Sequence, residues 1–167
     1  MSNLPAEPGL IDRLRDFPGH VAAFVQSVPP PQRHHRPAGG AFSLVEHLCH
    51  LRDLEREGYL LRIRRILAED LPELSEIDGS ILAVERDYLA QDAGAALRAW
   101  QAARAQTVAL LRDALPRHGQ RKGIFGGFGV ITLAALAESM AAHDAAHWQE
   151  LQELQALRRD VLGAQRG

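Results

Sequence analysis

Residues 132–151 read TLAALAESMAAHDAAHWQEL, and this stretch organises the rest of the chain. Its predicted inward-facing residues recur at steps of three and four, which is one stripe of an α-helix. The stripe contains Leu133, Leu136, Met140, His143, His147, Leu151 and Leu154. Two imidazoles therefore stand where aliphatic side chains are expected. Because His143 and His147 are four residues apart, their rings lie one above the other and can converge on a single ion.

The composition predicts one folded domain without a general affinity for nucleic acid. The chain has 167 residues, of which 46% are hydrophobic and 24% are charged, ordinary values for a globular protein. Nineteen basic and twenty-one acidic residues give a formal net charge of -2, so no electrostatic attraction to nucleic acid or an anionic membrane is expected. We expect a single domain over residues 1–167, with neither nucleic acid nor membrane as a partner.

The expected location is the cytoplasm. The single cysteine, Cys49, excludes an intrachain disulfide and fits a reducing compartment. The N-terminal sequence lacks the basic start and continuous apolar core of a signal peptide. No apolar run approaches the length needed to span a membrane. These features together predict a soluble intracellular protein.

Apolar periodicity predicts four main helices. They cover about residues 10–28, 43–68, 92–115 and 132–162. Pro18 is either the first residue of the first helix, after a short helical lead-in, or lies inside a single helix and kinks it. The second helix begins with a capping box of Ser43 and Glu46, which leaves Glu46 a structural role. Thr132 is a suitable N-cap for the fourth helix.

The connections between these helices are predicted to be loops. Residues 29–41 carry three consecutive prolines and a Gly-Gly pair, and residues 69–79 are acidic and contain Pro72. Residues 80–91 can form further helix. Residues 116–131 hold five glycines but lack the residue order of a phosphate-binding loop, so we interpret them as a connection that could close over a pocket. With no alternating β-rich run in the sequence, the prediction is an all-α four-helix bundle with long connections.

A third ligand for an ion beside His143 and His147 has to come from a facing helix. The buried side of the second helix is predicted to contain Leu44, Leu48, Leu51, Leu54 and Leu61. The same helix offers His47 and His50 as candidate ligands. Periodicity slightly favours His47, which lies nearer the middle of the leucine stripe, whereas His50 lies at its edge. The residue pattern alone leaves this choice open.

Other polar residues on the predicted helices are interpreted as structural. Arg104 falls on the buried stripe of the third helix, where pairing with a carboxylate is commoner than a role in a pocket. Cys49 lies away from the leucine stripe and is interpreted as a small helix residue, while Asp144 either orients a ligand or is a surface charge. The arginines of the second helix are predicted to form a mostly solvated face. They are Arg52, Arg56, Arg62, Arg64 and Arg65.

Residues 42–55 read FSLVEHLCHLRDLE and resemble the signature of the DinB / YfiT-like superfamily. In that signature an aromatic residue and a serine precede a helix that ends in His-Leu-x-Asp-x-Glu. The run from His143 to His147 resembles the late-helix His-x-x-x-His motif of the same superfamily. The resemblance extends from Pro18 to about Leu154. Phe42 stands where the superfamily usually has tryptophan, and this change affects mainly apolar packing at the helix start.

The resemblance implies a metal site of His50, His143 and His147, because the histidine before the leucine is the ligand in that signature. A three-histidine site leaves a coordination position open to water or substrate, the arrangement of catalytic sites. The implied metal is Zn²⁺ or Ni²⁺. The implied function is a metal-dependent low-molecular-weight-thiol S-transferase or hydrolase, acting on a small electrophilic or stress-related metabolite. The reacting group would be water or an external thiol activated by the metal, and no catalytic side chain is assigned.

The alternative function is a non-catalytic helical bundle that binds a metal or ligand as a homodimer. Tyr59, Ile63 and Trp148 lie outside the predicted bundle stripes and are expected to be exposed, which suits a dimer face. On this alternative, side chains fill the space between the helices. An enzyme instead requires an open cleft above the three histidines.

Overall fold

The computed structural model describes residues 8–164, with side chains as far as Leu157 apart from that of Phe128. The helices lie where the apolar stripes predict them. They are α1 (Leu10–Ser27), α2 (Leu44–Asp53), α3 (Leu60–Ala68), α4 (Gly79–Glu85), α5 (Ala93–His118) and α6 (Leu133–Ala164). A π-helical turn, Leu54–Tyr59, joins α2 to α3 in one continuous helical run. The predicted four-helix bundle is therefore confirmed, with α1, the α2–α3 run, α5 and α6 as its members.

The helix starts follow the capping chemistry of the sequence. The Ser43 hydroxyl accepts a hydrogen bond from the Glu46 amide at 3.4 Å, and the Glu46 carboxylate accepts one from the Ser43 amide at 2.9 Å. Thr132 Oγ1 accepts from the Ala135 amide at 3.1 Å at the start of α6. Pro18 lies inside α1, so one continuous helix is the correct alternative for that segment. None of the helices within residues 8–164 is both long and apolar enough to cross a membrane.

The π turn changes which face of the second helical run is buried. An α-helix with the phase of Leu48 and Leu51 would bury positions near 58 and 62 further along, but a π turn holds one residue more than an α turn. Tyr59 and Ile63 are therefore buried in addition to Gly58 and Arg62. Leu61, which the uninterrupted stripe predicts to be buried, is instead 45% exposed.

The prediction that Tyr59 and Ile63 are exposed is therefore wrong, and dimerisation itself stays a prediction. Tyr59 and Ile63 are core residues, and the half-buried Trp148 packs edge-on against Phe17 at a ring separation of 6.3 Å. Arg62 was predicted on a solvated face but is buried as well. Its guanidinium lies 4.4 Å from the centre of the Phe125 ring and donates to the Ser75 carbonyl.

A small sheet was not predicted from the sequence. The strands are β1 (Glu73–Leu74), β2 (Lys122–Phe125) and β3 (Gly129–Thr132). β2 lies in the middle, parallel to β1 and antiparallel to β3. Strands of two to four residues are too short for alternation to be recognised. Gly123 is needed here because a Cβ would come within 2.8 Å of Leu74, so the glycine-rich segment is a packed hairpin rather than a loop.

The bundle core has an apolar half on either side of a polar layer. One half surrounds the buried Trp100, which meets Phe17 edge-on at 5.6 Å, and includes Leu151 of α6. The other half surrounds Leu111 and includes Met140 of α6. Because His143 and His147 lie between Met140 and Leu151 on the same stripe, the fold places both histidines in the layer between the two halves.

Candidate metal centre

The structure brings His50, His143 and His147 together. His143 Nε2 lies 3.4 Å from His50 Nε2 and 3.0 Å from His147 Nε2. Nitrogen atoms bound tetrahedrally to one zinc ion at about 2.0–2.1 Å are separated by about 3.3 Å. The three imidazoles therefore fit a single divalent ion, and one ligand atom from each lies within 4.8 Å of the others.

Burial keeps these imidazoles in the neutral form that binds metals. Loss of solvation lowers the pKa of His50 to about 4, of His143 to about 3 and of His147 to about 4. Neighbouring imidazoles lower the pKa of His50 and His143 further, because two charged rings would repel each other. At neutral pH each ring therefore keeps a lone pair available for a cation.

His47, the other candidate from the second helix, lies on the opposite side of the His147 ring. Its Nδ1 is 3.1 Å from His147 Nδ1, whereas the three-nitrogen cluster uses His147 Nε2. Burial lowers the pKa of His47 to about 3, so this ring too is neutral. His47 therefore lies near Nδ1 of His147, while His50 belongs to the cluster that includes Nε2 of His147.

Glu150 belongs to the same environment and was not identified from the sequence. Its Oε2 lies 3.0 Å from His147 Nδ1 and 3.6 Å from His47 Nδ1. A carboxylate at this position accepts a hydrogen bond from His147 Nδ1–H, which leaves Nε2 free to bind an ion. The available signal was its spacing, because a residue three positions after His147 lies on the same helix face.

Arg104 forms a buried ion network beside the histidines. Its guanidinium donates to the two Asp144 oxygens at 2.6 and 3.0 Å and to Glu55 Oε2 at 2.7 Å. The pairing of Arg104 with a carboxylate is confirmed, and the surface-charge interpretation of Asp144 is wrong. Since Asp144 follows His143 directly, the network fixes the rotation of α6 at the point where its histidines enter the layer.

A cleft of about 530 Å³ opens above the histidines. Its walls come from the loop after α1, from the start of α4 and from the later turns of α6. They include Pro37, Ala38, Ala41, Phe42, Gly79, Ser80, Glu153, Leu154 and Leu157. His47, His50, His147 and Glu150 form part of the same lining. Among the described residues, segment 116–131 contributes none of this lining, so its interpretation as a lid over the pocket is wrong for this cleft.

Gly79 fits closely against His50. A Cβ at this position would lie 2.3 Å from His50 Nδ1 and 2.4 Å from His50 Cε1, far inside van der Waals contact. Phe42 approaches the same ring from the other wall, with ring centres 5.9 Å apart. The position of the His50 imidazole is therefore set by two close neighbours as well as by its own helix.

Cys49 takes no part in this site. Its thiol is buried and lies 3.9 Å from the Tyr88 carbonyl and 3.5 Å from Gln91 Oε1. Burial raises the pKa of the thiol to about 11, so it is protonated at neutral pH and a poor nucleophile. The interpretation of Cys49 as a structural residue agrees with this geometry.

Comparison with known proteins places this geometry in a family. None of the curated proteins matches the chain. Among solved structures, the chain is similar to YfiT from Bacillus subtilis, with a TM-score of 0.74 and 21% identity over 93% of this chain and 94% of that one. That protein is described as a probable metal-dependent hydrolase with an unusual four-helix bundle topology. The family model of the DinB superfamily matches residues 13–151, most of the sequence, and the chain belongs to that superfamily.

Proposed function

We propose that the chain is a metal-dependent enzyme that acts on a small electrophilic or stress-related metabolite in the cytoplasm. The reaction is either hydrolysis or transfer of a low-molecular-weight thiol. The ion is Zn²⁺ or Ni²⁺, since imidazole nitrogens suit both. Cytoplasmic location is supported by a lone, buried free thiol at Cys49, which fits a reducing compartment.

The observation that carries this proposal is the spacing of His50, His143 and His147 beneath an open cleft. Their Nε2 separations of 3.0 and 3.4 Å suit one ion, and both His50 and His147 line the cleft. Three protein ligands leave a position free, as in catalytic rather than structural sites. A divalent ion held there would supply Lewis acidity, which activates water or a thiol at neutral pH.

The residues of the chain provide orientation and shape. Glu150 contacts Nδ1 of His147 and orients its ring. Arg104 pairs with Asp144 and fixes the rotation of α6, the helix that carries His143 and His147. Because the Cys49 thiol is protonated and lies outside the cleft lining, the thiol in a transfer reaction has to come from a second substrate.

The cleft lining indicates which substrates fit. Phe42, Leu154 and Leu157 provide apolar surface, and Glu150 and Glu153 provide negative charge. The described lining contains neither lysine nor arginine. We therefore expect neutral or cationic substrates with an apolar part to be preferred over anions.

Metal content tests the first half of the proposal. Wild-type protein and a variant with His50→Ala, His143→Ala and His147→Ala are purified from cells supplied with zinc or nickel, and bound metal is measured by elemental analysis. The wild type is expected to retain metal and the variant to have lost it. Equal, low metal content in both proteins would show that His50, His143 and His147 do not form a metal site.

A matched control replaces three exposed histidines outside the cleft, His20, His35 and His118, by alanine. This variant has the same number of histidines as the first one and is expected to retain metal like the wild type. Activity tests the second half: thiol conjugation and hydrolysis are measured on a panel of electrophiles and esters. Activity that persists after chelation and removal of the metal would contradict the mechanism.

A further inference from the structure

We propose that the floor of the cleft holds a second divalent-cation site, formed by His47, His147 and Glu150. It rests on the proposed function to the extent that His147 is shared with the first site. The donor atoms are the Nδ1 atoms of both histidines and Oε2 of the glutamate. The ligand atoms of these three residues lie within 4.8 Å of one another, as do those of the first site.

The spacing of the second set resembles that of the first. Its three separations are 3.0 Å between His147 and Glu150, 3.1 Å between the two histidines, and 3.6 Å between His47 and Glu150. The separation expected for nitrogen or oxygen ligands around one ion, at bond lengths of about 2.0–2.2 Å, is about 3.3–3.5 Å. The two donor sets are thus comparable in geometry.

The elements that carry these residues suit a metal site in a helical bundle. His147 and Glu150 are three positions apart on α6, and His47 comes from the facing α2. The two-metal carboxylate bundles also take a glutamate and a histidine three positions apart on one helix, although there the glutamate comes first. Two ligands come from one helix and the third from its neighbour, as in the first set.

The charge of Glu150 sets it apart from other carboxylates in the bundle. Glu46, Asp53 and Asp144 each pair with an arginine. Within the described residues, the ion-pair distances of Glu150 are to His47 and His147 instead. The neighbours of this carboxylate are imidazole nitrogens rather than a permanently charged side chain. A divalent ion would complete this set.

His147 links the two sites because each of its nitrogens faces one donor set. Occupancy of both sites requires the neutral imidazole to release its remaining N–H proton to water, so that one nitrogen binds each ion. All three residues of the second set line the cleft, so a second ion would lie within reach of substrate.

Metal stoichiometry tests this inference. The full chain is stripped of metal and titrated with Co²⁺ or Zn²⁺ alone, followed by calorimetry and by the visible absorption of cobalt. We expect two ions per wild-type chain and one ion in the His47→Ala and Glu150→Gln variants. The control is Glu153→Gln, which removes a cleft carboxylate one turn further along α6 and should still bind two. Far-ultraviolet circular dichroism of each metal-free variant verifies folding.

The His143→Ala variant separates this inference from the proposed function. It removes the first site and should retain one ion, bound through the second set. An equal number of ions in wild type, His47→Ala and Glu150→Gln overturns the second site and leaves the first intact. Loss of all metal in His143→Ala also overturns it, because the second set would then have no affinity of its own. If His143→Ala binds as many ions as the wild type while Glu150→Gln binds fewer, the second site stands and the first fails.

Discussion

Two polar clusters lie side by side in the layer between the apolar halves of the bundle, and they balance charge differently. The arginine cluster consists of Glu55, Arg104 and Asp144, and the histidine cluster consists of His50, His143 and His147. Arg104 supplies a permanent cation that contacts both carboxylates at 2.6–3.0 Å. The histidine cluster contains only neutral imidazoles, whose nitrogens approach one another at 3.0 and 3.4 Å.

The difference separates a cluster that is complete in itself from one that could bind a metal. A buried carboxylate without a cation is strongly unfavourable, so the arginine cluster stabilises the fold only when all three side chains are present. A neutral imidazole is tolerated in a buried layer without a cation. The histidine cluster can therefore exist before an ion binds. It lies at an open cleft, whereas each residue of the arginine cluster is at most 5% exposed.

The largest expected effect on the free energy of unfolding comes from removing the guanidinium of Arg104. Arg104→Met keeps much of the side-chain volume but leaves Glu55 and Asp144 buried without a partner. Breaking a buried ion pair on one side costs about 3–5 kcal/mol. Urea unfolding should show this loss in the free energy of unfolding.

Arg98→Met is the matched control, because Arg98 is exposed on the same helix. It should change the free energy of unfolding by less than about 0.5 kcal/mol. If both variants are equally stable, Arg104 does not stabilise the fold by compensating the charges of Glu55 and Asp144. The arginine cluster would then not differ from the histidine cluster in the way inferred here.

Zinc binding to the histidine cluster is the second test. Zinc that binds only the folded chain stabilises it by about 2.7 kcal/mol when the free metal is 100-fold above the dissociation constant. The wild type should therefore unfold at higher urea with zinc than with chelator. The His50→Ala variant should lose the part of this increase that the first site contributes, and a gain equal to that of the wild type would show that zinc does not bind through His50.

Gly79→Ala moves a ring of the histidine cluster without deleting it. The new methyl group would meet His50 Nδ1 at 2.3 Å, so the imidazole has to turn away from its present position. Disturbing the neighbours of a metal ligand typically costs 10–100-fold in affinity, and we expect about tenfold weaker zinc binding by calorimetry. Far-ultraviolet circular dichroism of the metal-free variant verifies that it is folded.

The control for that variant is Gly19→Ala in α1, where a Cβ would meet no atom within 4 Å. Zinc affinity there should equal that of the wild type. Unchanged affinity in Gly79→Ala would mean that the packing of Gly79 against His50 does not determine the geometry of the cluster.

Much of this arrangement follows from local sequence signals. The stripe that carries His143 and His147 repeats every three to four residues, and Ser43 and Thr132 cap helices through their own side chains. Such signals act over a few residues and can be recognised without tertiary structure. They define the four helices and two of the three histidines.

The remaining features depend on contacts between distant segments. One additional residue in the π turn leaves no mark on a hydrophobic pattern, yet it moves Tyr59 and Ile63 from the predicted surface into the core. The hairpin strands are too short to be recognised, and Gly123 is explained only by its approach to Leu74. Glu150 resembles many half-exposed glutamates until the two helices bring His47 and His147 to it.

Asp53→Asn is expected to have the smallest effect. Asp53 is a buried carboxylate that pairs with arginines near the protein surface. Asp53 is held by Arg52 at 2.6 Å, Arg86 at 2.9 Å and the Tyr88 hydroxyl at 2.7 Å, and Arg86 is partly exposed. Asparagine keeps one acceptor oxygen, so the expected loss in the free energy of unfolding is about 1 kcal/mol, well below that of Arg104→Met.

The pH dependence identifies the charge as the cause of that loss. Hydrogen bonds from Arg52 and Tyr88 lower the pKa of Asp53 in the folded chain despite its burial. Its charge therefore stabilises the fold above the unfolded pKa of about 3.9, and this contribution is lost as the pH falls through the folded value. The difference between wild type and Asp53→Asn should be constant from pH 5 to 7 and shrink below about pH 4. The exposed Asp113→Asn control should show no such trend. A difference that persists unchanged in acid would assign the loss to shape rather than charge, and the charge contrast between buried and surface clusters would then rest on Arg104 alone.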